Sequence, residues 1–162
     1  MAGTMVDRMV GAAFLNIETY EEVEHDADGT LQAGAVVAMV AVAGAIGASP
    51  LGVLGAGRAA MAALVGWLVW AGITYVVGDK LLGGTATWGE LLRTLGFAQA
   101  PGLLLVLGII PLLGTPITFF VGVWMLAAAF IAIRQALDFG NGKTLATVVL
   151  GWVVYMVLQV IF

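Results

Sequence analysis

GFAQAPGLLLVLGIIPLLGTPITFFVGVWMLAAAFIAIRQAL, residues 96–137, is the stretch that decides what kind of protein this is. No charged residue lies between Arg93 and Arg134. Crossing the apolar core of a bilayer takes about 20 helical residues, so this gap holds two crossings and little else. Pro111-Leu112-Leu113-Gly114-Thr115-Pro116 interrupts it near the middle. Proline lacks a backbone N–H and its ring crowds the preceding turn, so two prolines around a glycine mark a tight reversal. The segment reads as a membrane hairpin.

The rest of the chain has the same character. Hydrophobic residues make up 62% of it and charged residues only 10%, where a soluble domain carries about 25%. The expected fold class is therefore all-α: a polytopic integral membrane protein with five transmembrane helices and short amphipathic N-terminal helices. Residues 1–30 form a polar lead-in and 31–162 a single membrane domain, with spans near 33–54, 59–77, 97–112, 117–136 and 144–162. With six Lys/Arg against ten Asp/Glu, no basic stripe exists to neutralise phosphates, which argues against nucleic acid. The absence of cysteine excludes disulfides, thiolate metal sites and cysteine nucleophiles.

Taken in order, Asp7 and Arg8 break the first apolar run too early for a signal peptide. Met5, Val6, Met9, Val10, Ala13 and Phe14 recur at helical spacing, with Thr4, Asp7 and Arg8 expected on the other side. Such a helix lies either in the headgroup plane or on the polar face of the membrane domain. Thr19 and Glu22 have capping-box spacing for a second, acidic helix carrying Glu21, Glu24, Asp26 and Asp28, with Gly29 as its stop. His25, alone among acids, reads as a surface residue. Ser49-Pro50 is expected to kink or end the first span, and Gly78-Asp79-Lys80 to stop the second. The pairs Gly34/Ala38, Gly44/Ala48 and Ala62/Gly66 suit close helix packing. Gly55-Ala56-Gly57-Arg58-Ala59-Ala60 imitates a dinucleotide fingerprint, but it stands between membrane spans and not in a βαβ unit. Thr87 and Glu90 repeat the capping-box spacing, and Trp88, Leu91, Leu92 and Leu95 share one face of an expected interfacial helix.

The basic residues give a direction. Arg8, Lys80, Arg93, Arg134 and Lys143 fall on one side of the five-span scheme and only Arg58 on the other. The positive-inside bias then places the N-terminus in the cytoplasm and the C-terminus outside.

With five spans, a cytoplasmic N-terminal extension and the element Gly96-Phe97-Ala98-Gln99-Ala100-Pro101, the chain resembles the Yip-domain family, membrane proteins named for interaction with Ypt/Rab GTPases. That element is similar to the family's G-Y-x-x-x-P, with phenylalanine for tyrosine. Pro111, Gly114, Trp124, Ala132-Ile133-Arg134-Gln135-Ala136-Leu137 and the acidic run after Thr19-Tyr20 resemble its prokaryotic branch. The D-L-Y-G-P motif of eukaryotic members is absent, so Rab binding is not carried over. The resemblance implies a five-helix fold, a non-enzymatic role and residence in a prokaryotic inner membrane.

Chemistry is hard to find. Membrane catalysis and ion transport need ionisable groups in the spans, and the bodies of these spans hold only scattered polar residues, among them Thr74, Gln99, Thr118 and Gln159. Trp67, Trp70, Trp124 and Trp152 read as packing or lipid-facing residues. Arg134 and Asp138 stand four apart, the spacing of a helix-end contact. With Arg93 and Lys143 they also form a candidate surface for a lipid headgroup or a partner. The expected function is a scaffold or adaptor with no enzymatic activity or cofactor, whose partners are membrane lipids and a membrane protein or a second copy. The alternatives are an accessory subunit of a respiratory or photosynthetic complex and, more weakly, a channel or transporter for an uncharged solute.

Overall fold

A computed structural model describes residues 3–48 and 52–161, and all regular structure among them is helical. The helices are α1 (Met5–Ala13), α2 (Ile17–His25), α3 (Gly29–Gly47), α4 (Gly52–Thr74), α5 (Trp88–Phe97), α6 (Gly114–Ala136) and α7 (Asn141–Ile161). A π turn, Tyr75–Leu81, continues α4, and a 3₁₀ helix, Ala100–Ile109, follows α5. Three helical stretches are each long and apolar enough to cross a membrane: Gly29–Gly47, Ala60–Leu81 and Gly114–Ala136. Trp88–Phe97 and Ala100–Ile109, bent by 43° at their junction, pass the same test only when taken together, as a broken span or a re-entrant pair.

α3 is the hub, packed on α4, α5 and the 3₁₀ helix. α6 closes the other side of the 3₁₀ helix, and α7 packs on α4, α6 and the π turn. Small residues such as Ala33, Val36, Val40, Ala128 and Ala132 share the interior with larger ones such as Leu91, Phe97 and Ile133, whereas Val65, Leu68, Phe119, Phe120, Leu126 and Trp152 point outward. Small residues where helices meet and large apolar groups facing out suit a solvent of lipid, because backbones then gain by approaching closely.

The third span differs most from the sequence reading. In place of one helix over 97–112, α5 ends at Phe97 and the chain restarts as a ten-residue 3₁₀ helix. Pro101, in the first turn, has no N–H to give, and Gly102 donates to the Gln99 carbonyl instead, at 2.7 Å. A 3₁₀ helix rises ~2.0 Å per residue against ~1.5 Å in an α-helix, so this short segment reaches ~20 Å. It is also slimmer, and α3 comes against its backbone. A Cβ on Gly47 would collide with the Leu105 carbonyl oxygen, and one on Gly108 would sit 3.2 Å from the Gly47 oxygen. Of the expected small-residue contacts, Gly34 and Gly44 meet a neighbouring helix only loosely, and Gly66 meets nothing.

Other boundaries move for local reasons. The first span begins at Gly29 and its helix ends at Gly47, and the expected kink at Ser49-Pro50 lies outside the described residues. Gly78-Asp79-Lys80 does not stop the second span. The π turn carries the chain past it, with Gly78 against Leu137, Lys80 paired to Asp79 at 2.7 Å and its Nζ 4.8 Å from the Tyr75 ring centre. Leu112 takes the turn to α6 with φ +68°, and Pro116 falls in the first turn of α6, where no N–H partner is required. Thr87 and Glu90 form the expected capping box, and Leu91 to Phe97 of α5 are all buried within the bundle. Trp88, half-exposed at its start, packs edge-on to Tyr75.

Gly47→Ala is expected to lower the stability of the detergent-solubilised protein by ~1–3 kcal/mol, the range for overpacking against an unyielding neighbour. Gly66→Ala, in open space, should stay within about 0.5 kcal/mol of wild type. Thermal unfolding followed by tryptophan fluorescence compares the two.

Candidate functional site: the N-terminal hairpin and its arginine clasps

α1 and α2 form a hairpin laid against α5, α6 and the start of the 3₁₀ helix. Thr4 and Asp7 cap α1 reciprocally. α2 is capped by Asn16, whose side chain accepts from the Glu18 N–H, and not by Thr19. Thr19 instead packs on Gly11, where an added Cβ would collide with its side chain. Gly29 does not end α2. It opens α3 with the side chains of Arg8 and Arg93 each 3.5 Å from where its Cβ would stand.

Those two arginines hold the hairpin down. Arg8, expected on the polar outer side of α1, is turned inward and is only 2% exposed. It donates to Glu22 through Nε at 3.0 Å and Nη2 at 2.8 Å, pairs with Asp26 at 2.7 Å, and reaches Gln32 on α3 at 3.1 Å. The Gly3 N–H adds a bond to the same Glu22 oxygen at 2.8 Å. Together the Gly3 amide and the Arg8 guanidinium hold the Glu22 carboxyl below the usual carboxylate range, and Arg8 does the same for Asp26. Arg93, 8% exposed, reaches back from α5 to the end of α2. It donates to the carbonyls of Val23 at 3.1 Å and Glu24 at 2.5 Å, and to Thr30 at 3.3 Å. Tyr20, fully buried, bonds the Ala12 carbonyl at 3.0 Å. Trp124 of α6 donates to the Ala13 carbonyl at 2.7 Å, and Gln135 to Glu21 at 3.0 Å.

Arg93, Arg134, Asp138 and Lys143, the surface expected from sequence, have four different surroundings. Arg93 is committed to the hairpin. Asp138 lies beyond the end of α6 with φ +52° and accepts from Thr85 at 2.8 Å, so the expected Arg134–Asp138 contact is not among the ion pairs of the described residues. Lys143 donates to the Leu82 carbonyl at 3.1 Å and stands 5.0 Å from the Phe139 ring centre. Arg134 is half-buried. His25 is exposed as expected, its ring bonded to the Glu21 carbonyl at 2.8 Å. Trp67 bonds the Leu92 carbonyl at 3.1 Å and Trp152 faces outward, as packing and lipid-facing roles require. The motif positions have structural work: Gly96 abuts Ala33, Phe97 is fully buried, Pro101 opens the 3₁₀ helix, and Pro111 and Gly114 flank the reversal. What sequence reading missed is that Arg8 and Arg93 are buried. The signal available was that each has backbone carbonyls or acids within reach only once α2 folds back.

A cavity of about 930 Å³ lies beside the 3₁₀ helix, between α3 and α6. Val40, Leu105, Ile109 and Phe119 line it, and Gln99, Thr115 and Thr118 are its polar side chains. Its described lining holds no ionisable group apt for acid–base chemistry, and among the described residues no cluster of His, Asp and Glu could hold a metal. The arrangement can bind apolar matter and present a folded polar collar.

A family profile, the Yip1 domain, matches residues 12–162. No curated protein and no solved structure gives a match.

Glu24 makes the collar sensitive to pH near neutrality. Its carboxyl is pushed up to about 7, chiefly by burial, with His25 opposing and Glu90, Asp138 and Glu21 adding to the rise. The folded chain then holds more protons than the unfolded one between the ordinary 4.5 and about 7, and stability falls as pH rises through that window. Glu24→Gln should therefore unfold at a higher temperature than wild type at about pH 8 and at the same temperature near pH 4, read from thermal melts in detergent at the two pH values.

Proposed function

We propose that this chain, which belongs to the Yip1-domain family, is a non-enzymatic integral membrane scaffold that engages lipid or protein partners through its hairpin end. The observation that supports this reading is the clasped hairpin itself. The acidic lead-in is folded onto the bundle by two buried arginines, and so offers a defined surface with Glu18, Glu21, His25 and Asp28 exposed. A rigid surface costs a partner less ordering entropy than a tail would.

The scaffold crosses a prokaryotic inner membrane five times, through α3, α4 with its π turn, α5 with the 3₁₀ helix, α6 and α7. Arg8, Lys80, Arg93, Arg134 and Lys143 belong to the hairpin end and Arg58 to the opposite one, which favours a hairpin end in the cytoplasm. A second reading, an accessory subunit of a larger membrane complex, draws on the apolar cavity and the large exposed side chains, which suit a neighbouring helix.

Native gels in mild detergent test this. The wild-type chain is expected to run as a homo-oligomer or with a partner. Arg93→Ala removes three charge-assisted bonds and weakens hairpin docking by about 3 kcal/mol. It should stay in the membrane fraction but lose that association. A wild-type chain running alone, or a variant that associates unchanged, contradicts the proposal. Co-migration with cofactor-bearing subunits supports the second reading instead.

A further inference from the structure

α1 carries a row of outward apolar side chains with none of the described residues packed over them. Val6, Val10 and Phe14 are spaced by four and so share one face, and Ile17 extends the row into α2. They are 61%, 52%, 76% and 40% exposed. The opposite face packs inward through Met5, Met9 and Ala12. The position of this row relative to α6 says what covers it. Gln135 and Trp124 of α6 hold the hairpin at Glu21 and Ala13 respectively. Those donors are eleven residues apart, from 124 to 135, or ~16 Å along the helix. The turn after Ala13 is thus held lower on the side of α6 than Glu21 is, within reach of the Trp124 indole. Phe120 and Trp124, four apart on α6, are both exposed there. The row on α1 continues the outward stripe of a helix long and apolar enough to cross the bilayer.

We propose that Val6, Val10, Phe14 and Ile17 form a wedge seated in the adjoining leaflet, covered by phospholipid acyl chains and deepest at Phe14. Burial of this row needs no anionic headgroup. The one cation of α1, Arg8, faces inward and is neutralised by Glu22 and Asp26. The exposed acids beside the row, Asp7 and Glu18, keep the helix at the headgroup–acyl boundary. The wedge deepens the scaffold reading by naming its lipid contact, and rests on that reading's placement of α6 across the membrane.

The natural chain has no cysteine, so single cysteines report one place each. Phe14→Cys, Val10→Cys, Glu21→Cys and Phe120→Cys, labelled with the fluorophore NBD, are compared in phosphatidylcholine nanodiscs containing doxyl-labelled lipid. The lipid quencher should act about threefold more strongly at 14 than at 21, as for a group 5–10 Å inside the boundary against one in water. Position 10 should fall between them, and anionic lipid should leave the ratio unchanged. Equal quenching at 14 and 21, or a ratio that rises only with anionic lipid, overturns the wedge. If the change at 14 prevents folding, position 10 takes its place, and equal quenching at 10 and 21 overturns the wedge in the same way. Quenching at 120 but not at 14 or 10 removes the wedge alone, and its loss at 120 as well removes the membrane placement of α6.

Discussion

Backbone groups inside a bilayer have no water to turn to, and this constraint shapes every seam of the bundle. The chain satisfies them within helices, and then brings those helices together where alanine and glycine leave room. Gly47 against the Leu105 carbonyl is the tightest such place, possible because a 3₁₀ helix is thinner than an α-helix. Bulk is carried outward on residues such as Phe119, Phe120 and Leu126, where lipid is the neighbour. In water the same surface would be a large exposed apolar patch.

Against this apolar body the charges are gathered at one end and mostly used internally. Arg8 and Arg93 join α1, α2, α3 and α5 through side-chain and carbonyl acceptors, so the N-terminal segment is part of the fold. That changes what the end of the molecule can offer. Its exposed groups are largely acidic, and two of its cations, Arg8 and Arg93, are spent on structure. A half-buried Glu24 among other acids makes the same region sensitive near neutral pH.

The membrane class, the reversal at Pro111–Pro116, the capping box at Thr87–Glu90 and the family resemblance were all legible in the sequence, because each rests on local composition or spacing. The site was not. Arg93 reads as a loop cation until α2 is seen to lie 70 residues away in sequence but in contact, and a charge near a span end carries no mark of burial. Arg134 and Asp138 have pairing distance on an ideal helix, yet α6 ends at Ala136 and the left-handed turn at Asp138 takes the carboxylate to Thr85. The helix break at Ala98–Gln99 was likewise hidden, since periodicity in an all-apolar run does not separate α from 3₁₀.

Whether α6 crosses the membrane, with the hairpin at its inner end, is answered most directly by labelling its two flanking turns in intact cells. Leu112→Cys and Asn141→Cys, each the only cysteine and each at an exposed position, are treated with a maleimide that cannot cross the membrane. The account predicts that position 112 reacts at once and position 141 only after the cells are opened. Reaction at both positions from outside, or at neither, would contradict it.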